Sequence, residues 1–147
     1  MTTQSSEYQN AAVQSASPTQ LVCMLYDTLV RDMNRAILAI EAGNIEERAA
    51  EVKHALLVLQ QLEAFLDMEK GGEPAANLSR FYAVLRNNIM KAHAEVDAER
   101  FRNQIALILW VRSAWEQVEG PGSQSPDRGG DNKPKGEKAN QSLSCSV

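Results

Sequence analysis

A short run near the start of the chain, residues 16–27, constrains the fold most because it joins a helix start signal to an apolar stripe. The Ser17 side chain can accept from the free backbone N–H groups of a first helical turn. Pro18 suits the first helical position because its missing N–H would be unpaired there, and Gln20 completes a capping box with Ser17. The run therefore predicts an amphipathic helix that starts at Ser17. Its apolar stripe consists of Val22, Leu25, Leu29, Met33, Ala36 and Ile40.

Apolar residues at steps of three and four recur in three further segments, and turn signals separate the segments. Each segment has about 22 to 26 residues and the connections are short. Because short connections force antiparallel neighbours, the chain is predicted to be all-α, an antiparallel up-down-up-down four-helix bundle. The separating signals are Gly43 with the capping residue Asn44, Gly71-Gly72 followed by Pro74 as the start of the third helix, and Asp97 as the start of the fourth.

Composition divides the chain into three parts. We expect a short N-terminal arm at residues 1–16, the bundle at 17–119 and a disordered tail at 120–147, where Gly, Ser, Pro, Asn and Lys dominate. The polar N-terminus lacks the apolar centre of a signal peptide, and no run is long enough to span a bilayer. Cys23 and Cys145 form no disulfide framework and no metal pair, which indicates a reducing compartment. The pattern predicts a soluble cytoplasmic protein with no membrane insertion.

Several function classes receive no support from the residues. The net charge of -4 and the pI near 5.2 give no electrostatic footprint for nucleic acid. Glu51 and His54 have the spacing of a di-iron bundle, but the second pair is missing, since Met90 stands where the glutamate before His93 would be. Cys23 lies in an apolar helix without a base beside it. We therefore expect no enzyme activity, no metal and no cofactor.

Two apolar surfaces exceed what one helix face needs. On the second helix, a seam of Ala55, Val58, Leu62 and Phe65 beside the core stripe widens the apolar arc to about 200°. This arc either contacts two neighbouring helices or binds a partner. On the fourth helix, residues 105–111 are apolar all round, and Trp110 points about 180° away from Phe101. A partner helix or the N-terminal arm is the expected cover for Trp110.

Several short motifs are spread over roughly Tyr8 to Val118. They are Ala16-Ser17-Pro18, Tyr26-Asp27, Asp67 with Gly71-Gly72-Glu73, Asn77-Leu78 with Tyr82, and Arg112 with Trp115. In their order and spacing they resemble the motifs of the FliS family of flagellar secretion chaperones. The resemblance implies a four-helix bundle in the bacterial cytoplasm that binds the C-terminal, unfolded segment of flagellin by helix-in-groove contacts. It also implies that the chaperone prevents premature polymerisation and delivers flagellin to the flagellar type III export gate.

The chain departs from the family pattern at Leu109 and Trp110, where the family often has charged residues. The more apolar surface predicts a partner surface tuned to one flagellin, or contact with another copy of the chain. We expect a monomer or a weak homodimer. The alternative function is a self-associating structural or regulatory helical bundle with no export client. The expected partner-binding residues are Tyr8, Val13, Tyr26, Val58, Leu62, Phe65, Tyr82, Leu109 and Trp110.

Overall fold

A computed structural model of the protein describes residues 16–119. Four helices account for nearly all of this range, and no strand occurs within it. The prediction of an all-α four-helix fold is confirmed. The helices are α1 (Pro18–Ala42), α2 (Ile45–Ala64), α3 (Gly72–Glu95) and α4 (Ala98–Glu119).

The ends of the first two helices form as local chemistry predicts. Ser17 Oγ accepts from the Gln20 N–H at 3.2 Å, and Gln20 Oε1 accepts from the Ser17 N–H at 2.8 Å, which completes the capping box. Gly43 ends α1 in the left-handed region at φ 68°, where glycine has no side chain to clash. Asn44 Oδ1 then accepts from the Glu47 N–H at 3.0 Å and caps α2.

The connection between α2 and α3 is longer than the sequence predicts. The helix α2 ends at Ala64 rather than at Gly71-Gly72, and α3 begins at Gly72 rather than at Pro74. The physical reason is a turn built by Asp67, whose Oδ1 accepts from the backbone N–H groups of Glu69 at 3.1 Å and Lys70 at 2.9 Å. Pro74 still lies in the first turn of α3, where its missing N–H costs nothing.

Each helix packs against two neighbours in a closed ring, with α1 between α2 and α4, and α3 opposite α1. Polar pairs join neighbouring helices at every side of the ring. Two pairs join α2 to α3 and two join α1 to α4, and on each of these sides the residue numbers rise along one helix as they fall along the other. This order is compatible with the up-down-up-down arrangement. The pairs are Arg48–His93 and Glu63–Arg86 between α2 and α3, Asp27–Arg112 and Glu41–Arg102 between α1 and α4, Asp32–His54 between α1 and α2, and Asn88–Gln104 between α3 and α4.

The core is built from the inward stripes of all four helices. Its largest side chains, all almost completely buried, are Trp115, Tyr26, Tyr82 and Phe101. Most predicted stripe residues are buried with them, but Leu25 and Ile40 are only half-buried and pack against the edge of the core. The inward direction of α1 is therefore centred on Leu29 and Met33 rather than on Leu25.

The two tryptophans of α4 give a matched test of this core. Trp115 is 1% exposed and Trp110 is 74% exposed. Trp115→Ala should lower the free energy of unfolding by about 3–5 kcal/mol, because it leaves a large cavity. Trp110→Ala should change it by less than about 0.5 kcal/mol. Urea denaturation followed by circular dichroism measures both, and equal effects of the two substitutions would contradict the assigned orientation of α4.

Candidate partner-binding surface

Two tyrosines expected at the partner surface, Tyr26 and Tyr82, lie in the core instead. Their hydroxyl oxygens are 2.7 Å apart and their ring centroids are 6.5 Å apart. Because the two side chains are 0% and 1% exposed, each hydroxyl provides the polar partner that the other needs in a dry environment. In the closed bundle, these residues join α1 to α3 across the core and do not face a partner.

Burial keeps both phenols neutral. It raises the pKa of Tyr82 to about 12, partly opposed by the hydrogen bond with Tyr26. Burial is also the main reason why the pKa of Tyr26 lies far above its ordinary value, and the neighbouring Tyr82 adds to the rise. The nearby Trp115 indole acts in the opposite direction. The pair is therefore a neutral hydrogen bond at physiological pH.

The apolar seam of α2 also faces inward. Val58 and Leu62 are 5% and 1% exposed and belong to the core, and Phe65 is half-buried against it. The reason is that α2 packs between α1 and α3, so its wide apolar arc contacts two neighbours. A partner cannot reach Val58 or Leu62 while the bundle is closed. A partner role for these residues stays a prediction, and Phe65 cannot be replaced without an effect on packing.

The outer side of α4 is the one expected apolar surface that faces water. Trp110 is 74% exposed and Leu109 is 46% exposed. Leu107 belongs to the all-round apolar run but was not among the expected partner-binding residues; it is 43% exposed and lies three residues before Trp110, at the spacing of neighbours on one helix face. We call Leu107, Leu109 and Trp110 the α4 patch. Tyr8 and Val13, the expected residues of the N-terminal arm, lie outside the described residues.

A bidentate ion pair fixes how α4 is rotated against α1. Arg112 Nε donates to Asp27 Oδ1 at 2.6 Å, and Arg112 Nη2 donates to Asp27 Oδ2 at 3.0 Å. These hydrogen bonds are the main reason why the pKa of Arg112 is raised above its usual range, and Glu116 at 2.9 Å adds to the rise. The fork geometry defines a direction as well as a distance. With Arg112 held toward α1, Trp110 faces outward.

The histidine of the Glu-x-x-His pair, His54, lies at a contact between α1 and α2. His54 Nδ1 lies 2.5 Å from Oδ2 of Asp32, a 1% exposed carboxylate on α1 that sequence reasoning missed. Glu51 lies on the same side, and its pKa is raised by partial burial, by a hydrogen bond with Glu47 and by the charge of Asp32. Within residues 16–119, no group of three or more His, Cys, Asp or Glu side chains is placed to hold a metal ion.

The second histidine is engaged elsewhere. His93 Nδ1, near the end of α3, accepts from Arg48 Nε at 3.1 Å, and Arg48 is itself buried near the start of α2. Partial burial and the positive charge of Arg48 lower the pKa of His93. The two histidines thus belong to separate polar contacts, one between α1 and α2 and one between α2 and α3.

A comparison with known families decides the identity. The family model described as "Flagellar protein FliS" matches residues 1–121. The chain belongs to the FliS family. It is thus a member of a family of flagellar secretion chaperones and not of an enzyme class. None of the helices between residues 16 and 119 has the length and apolar character needed to cross a membrane.

Curated relatives agree with the FliS assignment. The flagellar secretion chaperone FliS of Salmonella typhimurium is 35% identical over 109 residues, which cover 74% of this chain and 81% of the relative. FliS of Campylobacter jejuni is 34% identical over 102 residues, covering 69% and 80%. The chaperone FliSB of Pseudomonas aeruginosa is 30% identical over 108 residues, covering 74% and 86%.

The tyrosine pair predicts alkaline sensitivity of this FliS-family bundle. Above pH 10 the unfolded chain loses a phenolic proton that folded Tyr82 keeps, so the free energy of unfolding should fall until about pH 12. The slope for one tyrosine is about 1.4 kcal/mol per pH unit. Urea denaturation at pH 9, 10, 11 and 12 measures it, and Tyr82→Phe should remove its contribution. An identical slope in the two proteins would show that this phenol does not lie in a dry core.

Proposed function

We propose that the chain is a cytoplasmic export chaperone for flagellin. It binds the C-terminal disordered segment of flagellin, prevents premature polymerisation and delivers the segment to the flagellar type III export apparatus. Membership in the FliS family supports the chaperone role, and the names of the relatives, flagellar secretion chaperones, support a role in flagellar secretion. We also propose that the N-terminal arm, with Tyr8 and Val13, either covers the α4 patch in the free chain or clamps the bound client.

The observation that carries the proposal is the exposed α4 patch. The core of residues 16–119 closes with Phe101, Ile108 and Trp115 from α4, and it does so without Leu107, Leu109 or Trp110. A large aromatic side chain that folding leaves in water is a natural anchor for a partner. Leu107 and Trp110 lie three residues apart on one side of α4, and Leu109 adjoins Trp110 farther around the helix, so the patch suits a client helix that lies along α4.

The magnitudes are consistent with several anchors acting together. Burying one large apolar side chain contributes roughly 1.5–3 kcal/mol, and ordering a disordered segment on binding costs about 2–5 kcal/mol or more. A single anchor such as Trp110 therefore leaves little surplus. A client needs contacts along the length of α4 and a neighbouring helix, which favours an extended surface over a compact pocket.

Replacing Trp110 should weaken client binding without unfolding the bundle. Trp110→Ser should raise the Kd for the flagellin C-terminal segment about 30-fold, as expected when an anchor worth ~2 kcal/mol is removed. Leu38→Ser, at a 62% exposed apolar residue of α1, is the matched control and should leave the Kd within about two-fold. Titration calorimetry measures both, with circular dichroism to verify folding.

Two results would contradict the proposal. The wild-type chain and the flagellin segment would give no heat and no co-elution on gel filtration if flagellin were not the client. Equal losses from Trp110→Ser and Leu38→Ser would show that the α4 patch has no special part in binding.

A further inference from the structure

The charge pattern of α3 and α4 distinguishes them from the first two helices. Residues 74–94 and 100–115 contain cations but no carboxylate. Most of these cations form ion pairs with acids elsewhere in the bundle, such as Arg86 with Glu63 and Arg112 with Asp27. Arg80 donates to the Asn77 side chain, and neither Arg80 nor Lys91 forms an ion pair with any residue of the described range. Two positive charges on α3 are therefore available to a partner.

These two cations lie on one stripe of α3, with an exposed apolar residue between them. Arg80, Val84, Asn87 and Lys91 follow each other at steps of four, three and four, which places them on one face. All four are exposed, and Val84 is 53% exposed. Three helical turns separate Arg80 from Lys91, a distance of about 16 Å along the axis.

A second stripe, Leu107 and Trp110 of α4, adjoins the stripe of α3. Asn88 Nδ2 donates to Gln104 Oε1 at 3.4 Å, and Arg100 Nη1 donates to Asn88 Oδ1 at 3.4 Å, which sets the register of the two antiparallel helices. One turn before Asn88 is Val84, and three residues after Gln104 is Leu107, so both lie at the same level. The stripe of α4 continues outward through Trp110. We call Arg80, Val84, Lys91, Leu107 and Trp110 the α3–α4 face.

This face has an apolar centre with an unpaired cation toward each end of its α3 side. Acids occur beyond both ends. Glu73 lies two turns before Arg80, in the first turn of α3, and at the turn between the helices Glu95 and Glu99 are already paired with Arg100 and Arg102. An approaching carboxylate would thus find positive partners on α3. An approaching ammonium group would meet repulsion from Arg80 and Lys91, which disfavours a basic partner.

We infer that the α3–α4 face binds an amphipathic helix whose apolar side is flanked by carboxylates about 11 residues apart, spaced to reach Arg80 and Lys91. The inference rests on the proposed function in one respect: it assigns the pair of spaced carboxylates to the flagellin segment that binds the chaperone. Apolar anchors give the affinity, and the two carboxylates fix the direction and position of the client helix on the face.

Two synthetic amphipathic peptides test the inference directly. They share one apolar pattern, and one carries Glu while the other carries Lys at the two flanking positions. The full chain should bind the Glu peptide on the order of ten-fold more tightly, and added salt should reduce the difference. Arg80→Glu together with Lys91→Glu should remove the preference. Arg31→Glu with Lys53→Glu makes the same change in net charge on exposed residues of α1 and α2 and should preserve it.

Equal binding of the two peptides by the wild-type chain, or an equal effect of the two double variants, would overturn the inference. Since the peptide comparison in the wild-type chain needs no substitution, a variant that fails to fold leaves the test intact. Sedimentation equilibrium that shows a dimer broken by Trp110→Ser would also overturn it, because a second copy would then occupy the face. Failure of the flagellin segment to bind while the Glu peptide is preferred would count against the proposed function alone.

Discussion

The bundle depends on the contact between Tyr26 and Tyr82 across its centre. Helices of 20 to 25 residues gain most of their stability from packing, so each of the four needs its apolar stripe covered. Neighbouring helices cover one another around the ring, but α1 and α3 meet only across the middle. The two tyrosines fill that space with rings and satisfy each other's hydroxyl at 2.7 Å. Both tyrosine hydroxyls are thereby buried at the centre of the bundle with a hydrogen-bond partner.

The bundle closes around this contact without the residues on the outer side of α4. Phe101, Ile108 and Trp115 complete the core, and Arg112 holds α4 to α1 through Asp27. The resulting rotation of α4 leaves the Trp110 side chain in water, although removing this large apolar surface from water would be favourable. In the proposed function, folding and client binding use different residues of the same helix, so the free chain is stable while it still exposes an apolar surface.

The parts of the fold that follow from neighbours in sequence were predictable, and the parts that depend on distant partners were not. The cap formed by Ser17 and Gln20 and the stop at Gly43 need only a few adjacent residues. The seam on α2 shows the limit, because helical periodicity gives the width of an apolar arc but not the number of helices that cover it. The bond between the Tyr26 and Tyr82 hydroxyls joins residues 56 positions apart, and no local pattern indicates it.

Only part of the candidate surface was predictable from the sequence. Trp110 could be placed outward from the helical wheel alone, since its direction opposes that of Phe101. Placing Val84 at the level of Leu107 required the register between α3 and α4, which the hydrogen bonds of the Asn88 side chain define. The unpaired state of Arg80 and Lys91 also required the structure, since the pairing of Arg86 and Arg112 with distant acids is not visible in the sequence.

Hydroxyl-radical footprinting of the full chain, free and bound to the flagellin C-terminal segment, tests most directly whether folding and binding residues are separate. Oxidation at each tryptophan is read by mass spectrometry. We expect Trp110 to react in the free chain and to be protected in the complex, while Trp115 is unreactive in both. Unchanged oxidation of Trp110 on binding, or ready oxidation of Trp115 in the free chain, would contradict this expectation.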